Sequence, residues 1–220
     1  MKKDYSIRKA RIDDINFLAD VIIGAEKSMT NNLGLATFFE LTKDKLKSLI
    51  ISMLEEEIDG CEFSISSFYV ACYRNTPIAA VGGWLEGYYD DMPSSLLKSN
   101  LIGFTFPKDS ITKTKSKIEI IKDIQFEREK GAYQTEYSFV DNNHRGKYLI
   151  NQLLEVHFNN AKLLNPKIKK AQSQPFANNE TIIKILELSG YQKVKIFKSK
   201  NKDILKYFPY HTKLLMEKTL

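Results

Sequence analysis

The sequence predicts a mixed α/β (α+β) fold: a central twisted sheet of about six to seven strands, flanked by helices on both faces. Three observations carry this reading. Ala132–Val140 alternates at the period of a strand, and after a polar turn apolar residues recur at helical spacing from Leu149 to Leu164. Ser67–Tyr73 and Pro77–Glu86 are apolar runs on either side of Arg74-Asn75-Thr76, the pattern of an antiparallel hairpin. Tyr191–Phe197 and His211–Glu217 read as a closing pair of strands.

Taken in order, Tyr5–Lys9 alternates enough for a short first strand. Asp13 or Asp14 then caps an amphipathic helix through Ile15, Leu18, Ala19, Ile22 and Ile23. Met29–Glu40, with Asn31-Asn32 and Gly34, reads as a loop with some order. Thr42 starts a helix that puts Leu46, Leu49, Ile50, Met53 and Leu54 on one face. Gly82-Gly83 inside the second hairpin strand marks a bulge or a close backbone approach. Tyr88–Lys130 is polar, contains Pro93 and Pro107, and has a helical pattern only at Ile118–Ile124. It lacks the apolar residues for a core of its own and reads as an excursion from the sheet. On the strand Ala132–Val140, Tyr133, Thr135, Tyr137 and Phe139 should face one way, and Gln134, Glu136, Ser138 and Val140 the other. Lys169–Gln174 is a further strand, and Asn179–Leu188 a helix stopped by Gly190.

Bulk properties exclude several classes. With 220 residues, 43% of them hydrophobic and 27% charged, the chain suits one globular domain over 1–220, with insertion-like segments at 29–66 and 88–130. No apolar run approaches a bilayer span. Met1-Lys2-Lys3-Asp4-Tyr5 has no signal-like apolar stretch behind it, so no membrane and a cytoplasmic location are expected. The sequon Asn179-Glu180-Thr181 is set aside on the same ground. Cys61 and Cys72 form no metal or redox pair, read as buried or free thiols, and imply no metal. The net charge of +6 comes from dispersed lysines without a nucleic-acid-binding signature, so no nucleic acid is expected.

The most informative segment is the turn Asp141-Asn142-Asn143-His144-Arg145-Gly146 and the helix after it. A helix start leaves N–H groups unpaired at the positive end of the peptide dipole. A tight turn converges them on a spot suited to phosphate. Gly146 lets oxygens reach the backbone, and Arg145 and Lys147 add charge at the rim. The plainer alternative is an ordinary strand-to-helix connection with a glycine for tightness. Gly146-Lys147 has neither the Ser or Thr nor the upstream glycine of a P-loop, and Gly82, Gly83 and Gly87 have the wrong spacing for a dinucleotide turn.

Phe139-Val140-Asp141-Asn142-Asn143-His144-Arg145-Gly146-Lys147-Tyr148-Leu149-Ile150 resembles the acetyl-CoA signature of the GNAT superfamily of N-acyltransferases, where a turn Q/R-x-x-G-x-G/A opens a long helix. Asn143 stands where Gln or Arg is usual, and Tyr148 where a second small residue is expected. A residue in the first helical turn has negative φ, so Tyr148 should serve there if its ring turns away. Asn179–Tyr191 resembles the family's later helix, led by Asn and closed by Gly and an aromatic. The resemblance is clear over Ala132–Phe197, weaker over Tyr5–Ile23 and Ser67–Glu86, and absent over Met29–Ser66 and Tyr88–Lys130.

The resemblance implies a GNAT-like domain that transfers an acetyl group from acetyl-CoA to a primary amine, on a small molecule or a protein, by direct attack in a ternary complex. A homodimer is compatible with it. The implied cofactor contacts are Ser138, Phe139, Val140, Arg145, Gly146, Lys147, Tyr148, Leu149, Ile150 and Asn179, with the Val140 backbone N–H on the thioester and oxyanion. The implied base is Glu136, with Glu86 next; His144 reads as structural. The family's acidic Tyr is replaced by Leu186, leaving Tyr137, Tyr191, Tyr207, Tyr210 or solvent to protonate the thiolate. Glu55-Glu56-Glu57, Asp59 and Asp90-Asp91 could attract a cationic acceptor or form solvated faces. Leu186 also supports an alternative, a GNAT-like module that binds acyl-CoA without catalysis.

Overall fold

The computed structural model describes residues 4–220; the basic start Met1-Lys2-Lys3 lies outside the described residues. In chain order the elements are β1 (Tyr5–Lys9), α1 (Ile15–Glu26), α2 (Gly34–Phe39), α3 (Lys43–Glu55), β2 (Phe68–Tyr73) and β3 (Thr76–Leu85). Then come α4 (Ser94–Thr105), α5 (Lys108–Thr114), α6 (Ile118–Ile121), β4 (Tyr133–Val140), α7 (Leu149–Leu164), β5 (Lys170–Ser173), α8 (Glu180–Leu188), β6 (Gln192–Lys198) and β7 (Thr212–Thr219). The strands form one seven-stranded sheet in the order β1-β2-β3-β4-β5-β7-β6. Every neighbouring pair is antiparallel except β4 with β5. The closing pair does not simply extend the sheet: β7 inserts beside β5 and leaves β6 at the edge.

Each face of the sheet buries its own core. On one face α1 contributes Leu18, Ala19 and Ile22, and α3 contributes Leu46, Ile50, Met53 and Leu54, against Phe68, Val70 and Ala80 of β2 and β3. On the other face Leu149, Ile150, Leu153, Leu154, Phe158 and Ala161 of α7 pack on Ala79, Val81, Tyr133 and Met216. Burial of each large aliphatic side chain stabilises the fold by about 1.5–3 kcal/mol, so these stripes hold the helices to the sheet. The Thr42 hydroxyl caps α3 by accepting the Lys45 N–H at 3.2 Å.

Three details depart from the sequence reading. Met29–Glu40 contains α2, whose start at Gly34 lies so close to the Tyr207 carbonyl that an added Cβ would sit 1.7 Å from its oxygen. Tyr88–Lys130 carries three helices rather than one helical pattern. Leu101 and Phe106 from it join the α1–α3 core, while Ile121 and Ile124 pack with Ile204. Asp14 does not cap α1 through its side chain. Its buried carboxylate instead accepts both Arg8 guanidinium nitrogens, at 2.6 and 2.8 Å, and the Arg11 N–H at 2.8 Å.

At Gly82-Gly83 both expected meanings hold, a bulge and a close approach. The β3–β4 register shifts between Ala80 and Gly82, so two residues of β4, Tyr137 and Ser138, oppose Val81 alone. A Cβ on Gly83 would lie 2.8 Å from both His157 Nδ1 and the Tyr133 ring. Those two groups form a buried pair: the Tyr133 hydroxyl donates to Nδ1 at 2.8 Å, and Nε2 donates to the Val81 carbonyl at 2.9 Å. Burial lowers the His157 pKa to about 4, so the ring is neutral and its one donor and one acceptor are both used. Gly83→Ala should therefore cost about 1–3 kcal/mol by overpacking, read as a lower urea midpoint with an unchanged slope.

Candidate active site

The parallel ladder between β4 and β5 is short. Tyr133, Gln134 and Thr135 pair with Ala171, Gln172 and Ser173, and there β5 ends. β4 runs on to Val140, bent by its bulge, where Tyr137 adopts φ 52°. Past Ser173 the chain reaches Pro175, which has no N–H to extend the ladder. The two strands part like a fork. A cleft of 1120 Å³ opens there, lined by Thr135–Val140, by Ser173–Phe176 and by the start of α7.

The bulge inverts the alternation read from the sequence. Register places Glu136 opposite Gly82 and Phe139 opposite Ala80, so Phe139 shares the face of Gln134 and Glu136. Phe139 and Tyr137 pack toward the α1 core, whereas Val140 packs on the α7 side with Tyr133. The expected grouping of Glu136 with Val140 is thus corrected. Asp141 donates its N–H to the Ile78 carbonyl of the β3 side at 2.7 Å. One residue earlier, the Val140 N–H points to the opposite edge, into the fork.

The turn before α7 is built by its own polar residues. The Asp141 carboxylate accepts the Asn143 N–H at 3.0 Å, and Gly146 takes φ 74°. Tyr148 is the cap residue of α7 with φ 55°, not a member of its first turn with negative φ. The left-handed conformation that a small residue adopts freely is imposed here on a tyrosine, at a cost of about 1–2 kcal/mol. Its ring turns outward, 69% exposed. Among the described residues, no acceptor meets the N–H groups of Gly146, Lys147, Tyr148, Leu149, Ile150 and Asn151. Lys147 Nζ meets the Tyr5 hydroxyl, which also bonds His144 Nδ1 at 3.1 Å; His144 packs on Tyr73 at 5.1 Å between ring centres.

The opposite end of the cleft holds charges from distant segments. Arg128 donates through Nε and Nη2 to Glu136 Oε1, at 3.1 and 2.8 Å, and through Nη2 to Glu62 Oε1 at 3.1 Å. Lys98 Nζ reaches the same Glu62 oxygen at 3.0 Å. Burial pushes the Glu62 carboxyl up, but Arg128 and Lys98 prevail and hold it down at about 2. Glu26, the last residue of α1, accepts the Tyr137 hydroxyl at 3.0 Å. Burial raises the Glu26 carboxyl above its ordinary range despite Lys98 and Lys213 nearby. Burial, and then Glu26 itself, raises the Tyr137 hydroxyl as well.

All the residues expected to touch cofactor, with Glu136 and His144, line this one cleft. Asn179 also ties the loop after α1 to α8. It caps α8 by accepting the Ile182 N–H at 3.2 Å and donates to Ser28 Oγ at 3.3 Å. Glu86 lies away from the cleft. Its carboxylate is consumed by Trp84 Nε1 at 3.0 Å and by the N–H and hydroxyl of Ser94 at 2.8 and 2.6 Å, which removes it as a base. Leu186 is buried in the α7-side core rather than lining the cleft. Of the substitute tyrosines, Tyr137 and Tyr207 line it; Tyr191 is buried against Thr135, and Tyr210 is elsewhere. Glu55–Glu57, Asp59 and Asp90-Asp91 are also off the cleft. Glu26, Glu62, Lys98, Arg128 and Lys213 carried no motif in the sequence. Only folding gathers them.

Cys61 and Cys72 are buried free thiols, and burial pushes the Cys61 thiol up to about 12. Among the described residues no group of three or more His, Cys, Asp or Glu is arranged to hold a metal ion. Among them, too, no helix is long and apolar enough to cross a membrane.

No protein-family model and no curated protein matches the chain by sequence. Solved structures match it in fold. An N-acetyltransferase from Staphylococcus aureus Mu50 has a TM-score of 0.69 at 14% identity, covering 96% of this chain and 99% of that one. A ribosomal-protein-alanine N-acetyltransferase from Brucella melitensis scores 0.55 at 14% identity, over 98% and 99% of the two chains. The Salmonella typhimurium protein yncA, solved with its cofactor acetyl-CoA, scores 0.58 at 10% identity, over 99% and 95%. Another match, from Streptococcus pneumoniae, is an acetyltransferase of the GNAT family, with a TM-score of 0.54 at 12% identity. The likeness establishes a GNAT fold for this chain.

Two outcomes follow from the geometry. Tyr148→Gly should raise stability by up to about 1 kcal/mol, the relief of φ strain less the added chain entropy, seen as a higher denaturation midpoint. Glu62→Gln should cost about 1–3 kcal/mol at neutral pH, because it removes the anion of part-buried Lys98 and one of the two anions of Arg128. The Glu62 pKa is depressed in the fold, so its contribution is complete above the ordinary Glu value of about 4.3 and disappears as pH falls toward about 2. Denaturation of wild type and variant across that window should show the two curves converging.

Proposed function

We propose that this protein is an N-acetyltransferase, moving an acetyl group from acetyl-CoA to a primary amine within a ternary complex. The observation that carries the proposal is the run of unpartnered N–H groups from Gly146 to Asn151, opening on the fork between β4 and β5. Such donors, at a helix start with Arg145 and Lys147 beside them, suit a diphosphate. Each charge-assisted hydrogen bond is worth about 1.5–3 kcal/mol, so a few suffice for anchoring.

In this reading Ser138, Phe139 and Val140 line the pantetheine path. The Val140 N–H bonds the thioester oxygen and then the oxyanion, a type of contact worth about 3–4 kcal/mol in rate. The acceptor nitrogen attacks the thioester carbon; the C–N bond forms, the C–S bond breaks, and the thiolate leaves with the electron pair. The amine proton needs an acceptor in the cleft. Glu136 was the candidate on sequence grounds, but its Oε1 already receives two guanidinium bonds. Glu26 fits the task better: burial raises its carboxyl, and its partner is a neutral hydroxyl. Of the tyrosines named as substitutes for the acid, Tyr137 and Tyr207 lie within the cleft, with solvent as the other proton source for the departing thiolate.

The buried Leu186 favours a second reading, a GNAT-like module that binds acyl-CoA without turning it over. Release of free thiol from acetyl-CoA in the presence of an amine panel separates the two. The binding claim itself is tested by calorimetric titration with acetyl-CoA. Wild type should bind and Gly146→Glu should not, since its carboxylate would occupy the phosphate position. Gly146→Asn, which tolerates positive φ, should retain most of the affinity. Equal binding by wild type and Gly146→Glu would remove the site.

A further inference from the structure

The charges lining the cleft are segregated. At the α7 end Arg145, Lys147 and Lys184 are all cationic. The carboxylates of the cleft, Glu26, Glu62 and Glu136, gather at the other end, and four cations accompany them: Lys27 next to Glu26, and Lys98, Arg128 and Lys213. Three carboxylates against four cations leave the inner end with one cation in excess.

At that end, three polar groups have no partner. Glu62 Oε2 is buried in a residue of 0% exposure and accepts no hydrogen bond, its other oxygen having taken both Lys98 and Arg128. Gln174 Nε2 is buried and donates none. Lys213 Nζ makes no hydrogen bond or ion pair among the described residues and rests near the rings of Phe176 and Phe208, 4.9 and 5.1 Å from their centres. An orphaned buried polar group is costly, and a ligand that satisfies it recovers that cost on binding.

The orphans are also ordered in space. Ser173 pairs with Met216 and Phe176 bridges to Lys213, so Gln174 and Lys213 lie on one face of neighbouring segments. Glu136 lies on that same face of β4, one residue past the pair Thr135 and Ser173. Two donors thus sit on the β5–β7 side of the inner end. The unpartnered acceptor, Glu62, and the carboxylate of Glu26 come from the helical side, after α3 and at the end of α1.

We propose that this end of the cleft selects an amine that also bears a carboxylate, a zwitterion of the amino-acid type, over a polyamine or a simple alkylamine. Its amine lies against Glu62 Oε2 and Glu26, and its carboxylate against Lys213 Nζ and Gln174 Nε2. A zwitterion satisfies one acceptor and two donors while leaving the net charge of the pocket unchanged. A diamine brings two positive charges to a region whose carboxylates are already matched, and leaves Lys213 unpaired. Burial lowers the Lys213 pKa against the opposing pull of Glu136 and Glu26, as expected of an ammonium without an anion of its own. The proposal rests on reading this cleft as an acyl-acceptor site.

The test is binding of acceptors alone, without acetyl-CoA. Glycine, β-alanine, 4-aminobutanoate and 6-aminohexanoate are titrated by calorimetry, each against its carboxamide and against the diamine of the same length. At least one amino acid should bind about tenfold or more tighter than both counterparts, a difference of about 1.4 kcal/mol. Lys213→Met should erase that preference and Lys213→Arg should keep it, with thermal melts confirming that both variants are folded. Equal or tighter binding of the carboxamide or diamine, no binding by any amino acid, or an unchanged preference in Lys213→Met would overturn the proposal. Failure of the broader transferase reading is seen separately, as absence of acetyl-CoA binding or of thiol release.

Discussion

The separation of β4 from β5 is the constraint on which the rest of the site depends. Two parallel strands that stayed paired would spend their edge N–H and C=O groups on each other and leave no gap between them. Here β5 ends at Ser173 and a bulge in β4 bends Tyr137–Val140 away. The result is a sheet held firmly on both sides of an opening: β4 stays bound to β3, and β5 to β7. The cost of unpaired edge groups is concentrated where a ligand can satisfy them. The bulge in turn depends on β3, where Gly82 and Gly83 accept the close approach of Phe68, Glu136, Tyr133 and His157.

The two ends of the cleft use electrostatics differently. At the start of α7 the positive charge is exposed and borne by backbone amides, so it needs no partner and remains available to an anion. At the inner end Glu62, Glu136, Lys98 and Arg128 are buried or part-buried and joined in one ion-pair network. Arg128 joins Glu62 and Glu136 and lies over the Trp84 ring, 5.0 Å from its centre. Taking such a network out of water adds little net stability. What it supplies is position, because Arg128 holds one oxygen of Glu62 and one of Glu136 in place.

The inner end is also assembled from the segments with least likeness to the family pattern. Glu62 follows α3, Lys98 is on α4, and Arg128 lies in the stretch before β4. These segments have no core separate from the sheet: Leu101 and Phe106 belong to the α1–α3 cluster. Their packing against that cluster brings Glu62, Lys98 and Arg128 into one pocket with Lys213, far away along the chain. The same fold could present a different inner end by changing only these segments.

Local chemistry determined much of this protein from the sequence alone. The alternation of Ala132–Val140, the polar turn, the apolar stripe of α7 and the Asn179 and Gly190 boundaries of α8 are short-range patterns, and each one is visible in a window of a few residues. The turn before α7 with its unpaired donors was legible for the same reason: these donors are backbone groups whose direction follows from the helix start. Tertiary structure alone decided the rest. The side-chain alternation of β4 predicts Glu136 beside Val140, yet a single extra residue opposite Val81 reverses it. Tyr148 takes φ 55° at the cap of a helix whose apolar stripe packs on the sheet. Glu26, Glu62, Lys98, Arg128 and Lys213 form no pattern along the chain, because charge pairing in a folded interior depends on distance in space, and spacing in sequence does not record it.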